Sequence, residues 1–389
     1  MSDTQSDATK ATGAEADSAS ARSVLRTSEW INDEWISGDG QFRVGELPLW
    51  NRLESAPQGK QHRGRWLPGF SWCVVLGLAV IALLRIVWHD GAWPLILLNA
   101  FTLYLYLPAY FVLAFAIATR RFALAAASTA IVACHLAWVA PDWRPAQAAA
   151  GGADRGQCDG HSVRIYFANV HASNQDLEGV LNAARRFDPD VIVLVEMQRW
   201  WWHKLIDSRP LPDYPYGTDL DQRNAGDVGV FSRLPVRRFE QIAVAGRTVL
   251  ALDLAVDGET LRLFALHSPR PTPDSRDSYF EFWKLIERVV TKEQGPVAVI
   301  GDFNATQFSR VYRQLQEGGL RSAYEDRGEG ASTTWPTFGP FPLIRIDQVF
   351  LSPEVKCISI EVGDIPGSDH RSLFVDLLVG SAQLGRDDR

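Results

Sequence analysis

Three runs of nearly unbroken apolar residues dominate the first part of the chain, from Trp66 to Trp88, from Trp93 to Ala118 and from Phe122 to Val139. Each approaches the ~20 residues that a helix needs to cross a bilayer, and three in succession predict three transmembrane helices. Arg85 is the one charge inside them, close enough to an end for its head group to snorkel to the interface. Trp66, Trp88, Trp93 and Trp143 stand at the run boundaries, where amphipathic rings favour the membrane surface. Ahead of the runs, Met1 to Ser28 is Ser, Ala, Thr and Asp, a composition with too little to bury to offset chain entropy. It lacks the basic start and apolar stretch of a cleaved signal peptide. From Glu29 to Arg65, Trp30, Trp35 and Trp50 alternate with charges and Gly, which fits either a docking segment or one lying on the membrane surface.

After Ser162 the pattern changes to short β-branched runs separated by helical stretches. Strands are expected at Val163 to Ala168, Val191 to Val195, Val228 to Phe231, Val249 to Val256, Leu261 to Leu266, Val297 to Ile300, Gln348 to Leu351, Ile358 to Val362 and Leu373 to Val379. Helical periodicity is clearest at Leu177 to Phe187, Trp200 to Ser208 and Tyr279 to Thr291. So many strands with helices between them predict one α/β domain with a large sheet system. The segments divide as 1–65 (disordered or cytoplasmic), 66–140 (three transmembrane helices), 141–160 (an Ala/Gly/Pro linker), 161–380 (the α/β domain) and 381–389 (a short tail).

Charge adds an orientation. Lys60, Arg63 and Arg65 precede the first run and Arg120 and Arg121 join the second to the third, while the intervening loop is His89-Asp90-Gly91. Positive flanks belong in the cytoplasm, so three crossings put the α/β domain on the far side of a cell membrane. Residues 1–150 hold 12 Lys+Arg and 12 Asp+Glu, leaving 27 against 34 beyond, so the net −7 belongs to the C-terminal part. An acidic domain lacks the Lys/Arg footprint of sequence-independent duplex binding, although a bound cation would invert the local field. Four cysteines without a CxxC argue against a zinc site or a disulfide scaffold. Cys158 and Cys357 flank two expected strands and could pair outside the cytoplasm.

Polar residues recur where the expected strands end, the places from which a sheet aims side chains into a shared cleft. Asn169 ends Tyr166-Phe167-Ala168-Asn169, Glu196 follows Val193-Leu194-Val195, and His267 ends the strand Leu261 to Leu266. Asp302 and Asn304 lie in Gly301-Asp302-Phe303-Asn304, Asp347 follows Ile346, and Asp369 and His370 lie in Ser368-Asp369-His370 just before the last strand. Singly, each has a plainer reading as a turn residue, a helix cap or a structural histidine.

In that order these residues resemble the signature of the endonuclease/exonuclease/phosphatase superfamily, over roughly Ser162 to Val379. The resemblance implies a four-layer α/β sandwich, two mixed sheets flanked by helices, with the cleft at one end. It implies a hydrolase that cleaves phosphomonoester or phosphodiester bonds using Mg²⁺ or Mn²⁺. Glu196, Asp369 and Asn169 would surround the metal, hard oxygen donors of the kind such ions prefer. Asp302 would orient or deprotonate the attacking water, and Asn169 and Asn304 would orient nucleophile, phosphate or metal shell. Asp347 would fix the tautomer of His370, which touches the phosphate or its nucleophile, and His267 would contact the phosphate or leaving group.

The Pro-rich segment His267 to Pro273 resembles bacterial membrane-anchored members, and its Arg270, with Arg276, could reach a phosphate. Arg371-Ser372 and Gln348 depart from the pairs common in relatives, at positions outside the catalytic pattern. Of Trp200, Trp201 and Trp202, consecutive on a helix, at least one should be exposed, at the cleft rim or bilayer. The expected partners are the lipid bilayer and a phosphate-ester substrate: a lipid, a small molecule or a nucleic acid. The alternative is a non-catalytic, membrane-tethered binding module on the same fold, against which the complete residue set argues. A transporter is disfavoured because the apolar runs show no acidic residue and no helix break.

Overall fold

The computed structural model describes residues 66–143, 161–218, 226–339 and 341–380. The expected tails, the linker beyond Trp143 and the Trp30/Trp35/Trp50 segment therefore lie outside the described residues, as does Cys158. The helical region contains α1 (Leu67–Trp88), α2 (Trp93–Ala100), α3 (Thr102–Leu105), α4 (Leu107–Ala118) and α5 (Phe122–Val139), followed by a 3-10 turn at Ala140–Trp143. Among the described residues, two helices are long and apolar enough to cross a membrane, or three if the second, bent run counts as one span.

That second run corrects the expectation of an unbroken helix, because it bends by 74° between Trp93–Ala100 and Thr102–Ala118. The cause is local chemistry. The Thr102 hydroxyl donates to the Asn99 carbonyl (2.6 Å), diverting an acceptor from the helical ladder. Pro108, in the first turn of α4, has no N–H to continue the ladder and restarts the helix. Arg85 corrects a second expectation. Rather than snorkelling, it is buried, donating to Asn99 Oδ1 (3.0 Å), Thr102 Oγ1 (2.8 Å) and the Phe308 carbonyl (3.4 Å). A charge in an apolar layer is tolerable only with such partners, and the break supplies two of them. The small residues Ala82, Ala109 and Ala116 bring α1, α4 and α5 together, while Phe70, Leu76, Val80, Leu83 and Ile86 face outward.

Two six-stranded sheets follow. Along the chain come β1 (His161–Asn169), α6 (Leu177–Arg185), β2 (Val191–Val195), α7 (Arg199–Ser208), β3 (Tyr216–Gly217), β4 (Val228–Ser232), β5 (Val236–Val244), β6 (Arg247–Val256), β7 (Glu259–His267) and α8 (Arg276–Val290). Then come β8 (Val297–Asp302), α9 (Arg310–Glu317), β9 (Arg321–Ser322), α10 (Ala323–Arg327), β10 (Asp347–Leu351), β11 (Val355–Asp364) and β12 (Arg371–Val379). The sheet orders are β11-β12-β1-β2-β4-β3 and β5-β6-β7-β8-β10-β9. Each holds one parallel pair, β1 with β2 and β7 with β8, among antiparallel neighbours. The two orders match position for position, so β1 corresponds to β7 and β2 to β8.

Strand alternation explains the layers. Val163, Ile165 and Phe167 of β1 and Leu261, Leu263 and Ala265 of β7 point between the sheets into one core. The intervening Tyr166 and Ala168 meet α6 and α7, and Phe264 and Leu266 meet α8 and α9. The result is the expected four-layer sandwich, each buried aliphatic side chain contributing about 1.5–3 kcal/mol.

The helical region docks on this sandwich through its turns. Asp90 accepts from the Arg310 amide (2.5 Å) at the start of α9, a favourable place for a carboxylate. Arg276 donates to the Gly91 carbonyl (2.6 Å) and Tyr104 to that of Leu343 (2.9 Å). At the end of α5, Asp142 takes a hydrogen bond from Gln307 (3.0 Å) and lies 3.6 Å from the buried Arg345.

Candidate active site

Strand register assembles the site. In the parallel pairing of β7 with β8, His267 lies opposite Asp302, and in the antiparallel pairing of β8 with β10, Asp302 lies opposite Asp347. In the other sheet Asn169 pairs with Val195, the residue before Glu196. Because the sheets stack with equivalent strands ending together, the two sets meet. Gly301 is part of that construction, since a Cβ there would come within 2.0 Å of the Leu266 carbonyl in β7. Glu196 itself adopts φ 60° and Asn304 φ 46°. The left-handed region is costly for Glu and cheaper for Asn.

Asn169 is the hub. Its Nδ2 stands 3.2 Å from Glu196 Oε1, 3.0 Å from Asp302 Oδ2 and 3.3 Å from His370 Nε2. Glu196 Oε2 accepts from the Ala172 amide (3.0 Å) and Oε1 from Arg270 (3.0 Å). Asp302 Oδ1 is held by the Asn304 amide (2.8 Å), while Asn304 Nδ2 donates to the Ser268 carbonyl (3.1 Å). His370 Nδ1 pairs with Asp347 at 2.9 Å, leaving Nε2 facing Asp302 Oδ2 at 3.9 Å. His267 Nδ1 pairs with Asp227 at 2.6 Å, and its Nε2 lies 3.8 Å from Glu196 and 3.9 Å from Asp302.

Burial and mutual charge perturb these groups. Burial alone would raise the Glu196 carboxyl, but the Asn169 hydrogen bond, with His267, Ala172 and Arg270, holds it below its ordinary value. Burial pushes the Asp302 carboxyl up, and the neighbouring Asp347 adds to the effect. Against the lowering effect of burial, Asp347 above all holds His370 up to about 9. His267 is likewise raised, burial being outweighed by Asp227, which is itself held low by His267 and Arg247.

Among the described residues, two groups could each hold a metal ion, Glu196 with His267 and Asp302, and Asp302 with Asp347 and His370, ligand atoms in each lying within 4.8 Å of one another. The residues fit a small hard cation on two grounds. Crowded, desolvated carboxylates repel one another until a cation joins them, and the buried Nε2 of His267 has no hydrogen-bond partner.

All eight residues singled out from the sequence fall at this end of the sandwich, with differences in detail. Asp369 stands apart from the two carboxylate groups, its Oδ2 accepting from the Trp335 indole at 3.0 Å, though it lines the same cavity as Asp302, Asn304 and His370. Arg270 reaches the site, but Arg276 turns away to Gly91. The three tryptophans pack outside the first sheet, Trp201 fully buried and donating to the Asn174 carbonyl. Cys357 is buried and free. Two residues escaped the sequence reading. Asp227 precedes β4 instead of following a strand, and Trp335 lies in a long loop; the Gly226-Asp227 step before an apolar strand was the one available sign.

The model of the Endonuclease/Exonuclease/phosphatase family matches residues 165–370. No curated protein matches the chain significantly. Among solved structures it is similar to a humanized D. rerio TDP2 (17% identity, TM-score 0.46, covering 56% of this chain and 98% of that one). It is also similar to a Bacteroides thetaiotaomicron endonuclease/exonuclease/phosphatase family protein (18%, 0.46, 57% and 98%) and to a mannosyl-6-phosphatase from that organism (19%, 0.43, 55% and 99%).

Proposed function

The chain belongs to the endonuclease/exonuclease/phosphatase family of phosphoester hydrolases, and on that premise we propose that it is a membrane-anchored, divalent-metal-dependent phosphoesterase whose catalytic domain lies outside the cytoplasm. The observation that carries the reading is the convergence on Asn169, within hydrogen-bond reach of Glu196, Asp302 and His370. In the hydrolysis, water oxygen bonds to phosphorus, the ester P–O bond breaks, and a proton ends on the leaving oxygen.

Glu196, with Asn169 beside it and Asp302 and His267 within reach, would hold Mg²⁺ or Mn²⁺, whereas Asp369 is held by the Trp335 indole apart from this group. When bound, the ion neutralises phosphoryl charge and acidifies water. The remaining steps belong to the chain's own groups. Asp302, its carboxyl raised by burial and held through Oδ1 by Asn304, orients the attacking water and takes its proton. His370, fixed at Nδ1 by Asp347, presents Nε2 to the phosphate. Asn304 positions the nucleophile. His267, steadied by Asp227, faces the leaving group. The basic flanks Lys60, Arg63, Arg65, Arg120 and Arg121 support a reading in which the chain crosses three times with this centre on the outer side.

The test is hydrolysis by the detergent-purified full-length chain of a phosphomonoester and phosphodiester panel with Mg²⁺ or Mn²⁺, read by ³¹P NMR. Metal-dependent cleavage that disappears in Asp302→Asn is expected. Cleavage indifferent to that change and to chelation would refute the reading, as would no cleavage of any ester.

A further inference from the structure

The cavity that opens onto Asp302, Asn304 and His370 has one wall from the sandwich and the other from the broken apolar run. It measures about 340 Å³, within the roughly 300–1,000 Å³ of small-molecule sites. Its second wall is Ile96, Leu97, Ala100 and Phe101. Their spacing puts them on one face of α2 and its break. None of the four can bond a phosphate, a sugar or a base edge through its side chain. A wholly apolar wall beside bilayer-spanning helices suits an alkyl chain above all.

A second observation points the same way. The loop bordering the cavity through Trp335 and Ile344 carries Phe338 and Phe341, 81% and 75% exposed. Tyr104 of α3 ties that loop to the apolar run through the Leu343 carbonyl. Aromatic side chains left this exposed beside bilayer-spanning helices suit the membrane interface. Arg270, on the sandwich wall, is the exposed cation beside the carboxylates and offers a bidentate donor to an anionic phosphate.

We infer that the substrate is a lipid phosphate ester drawn from the bilayer, its apolar chain lying against Ile96, Leu97, Ala100 and Phe101 and its phosphate reaching Asp302 and His370. The bend in the second run is then functional: it turns an otherwise anchoring segment into the floor of the active site. The inference rests on the phosphoesterase reading and adds the substrate class.

The test uses the full-length chain in phosphatidylcholine nanodiscs with Mn²⁺. Phosphatidic acid and phosphatidylglycerol are compared with their deacylated counterparts, glycerol phosphate and glycerophosphoglycerol. At least one acylated ester should be cleaved at least tenfold more efficiently than its counterpart. Ala100→Trp, which fills the cavity, should lower that ratio at least tenfold. Should Ala100→Trp not fold, the exposed double variant Phe338→Ser/Phe341→Ser should lower the ratio at least threefold. A separate, metal-free readout is cross-linking of phosphatidic acid bearing a diazirine in its acyl chain, with the labelled sites mapped. Labelling at residues 96–101 that excess unlabelled phosphatidic acid removes is expected. Equal efficiency on acylated and deacylated esters, or a ratio unmoved by the folded variants, overturns the inference and leaves the phosphoesterase reading standing. If no ester is cleaved, that reading fails, and the cross-link alone decides whether the cavity holds lipid: competed labelling upholds it and its absence overturns it.

Discussion

In the sandwich, Asn169, Glu196, Asp302 and Asp347 are buried at the ends of strands that differ widely in sequence position, whereas in the helical region Arg85 of α1 is buried against Asn99 and Thr102 at the break in the second apolar run. Asn169, Glu196, Asp302 and Asp347 are inside because their strands deliver them there, the carboxylates repelling one another and Asn169 donating between two of them. Arg85, Asn99 and Thr102 are inside because each satisfies another, and Asn99 extends the network to Asp90 (2.6 Å), which docks on α9. One set is poised to act on a ligand, the other is self-sufficient. Variants in the first should therefore damage chemistry and spare stability, and variants in the second should do the reverse.

The largest expected effect is Glu196→Ala. It should lower kcat/KM for every phosphoester about 10³-fold, while the thermal midpoint falls only modestly, since Asn169 and the Ala172 amide lose an acceptor but the crowding of Glu196 with Asp302 is relieved. If the rate fell and the protein also unfolded readily, the contrast between the two regions would fail. Asp347→Asn should follow at about 10²-fold, because the amide presents a different pattern to His370 Nδ1 while filling the same space; the readout is kcat with KM nearly constant. Gly301→Ala sharpens the contrast from the other side. Its Cβ meets a backbone carbonyl at 2.0 Å, so β7 and β8 must part, costing about 3 kcal/mol in a thermal melt and disturbing Asp302 as well. The smallest effect on chemistry belongs to Asp90→Ala. Losing the contacts to Arg310 and Asn99 should cost about 1–3 kcal/mol, while cleavage of a soluble phosphoester changes by less than about threefold.

The same contrast explains what the chain disclosed beforehand. Strands such as β1, β2 and β8 are buried along their length and read as apolar runs, and the polar residues closing them are conspicuous by position. The strand β5 was invisible because it is an edge strand, with Arg237 and Arg238 exposed and charged Glu240 among its apolar residues. The elements β3 and β9, two residues each, have no period to detect. The helices α9 and α10 are short and carry mostly polar residues. In the apolar runs, hydropathy reports length and composition but not continuity, so it gives no sign that Asn99, Thr102 and Pro108 mark the bend. Partners are harder to read than site residues: Asp227 and Trp335 act on His267 and Asp369 through contacts that only the folded chain creates.

The most direct measurement is Mn²⁺ binding to the full-length chain by electron paramagnetic resonance, taken alongside phosphoester cleavage in the same samples. A saturable site that disappears in Glu196→Ala, with cleavage disappearing in parallel, is the expected result. Mn²⁺ binding and cleavage both undiminished by Glu196→Ala would mean that the gathered strand ends are not the catalytic centre.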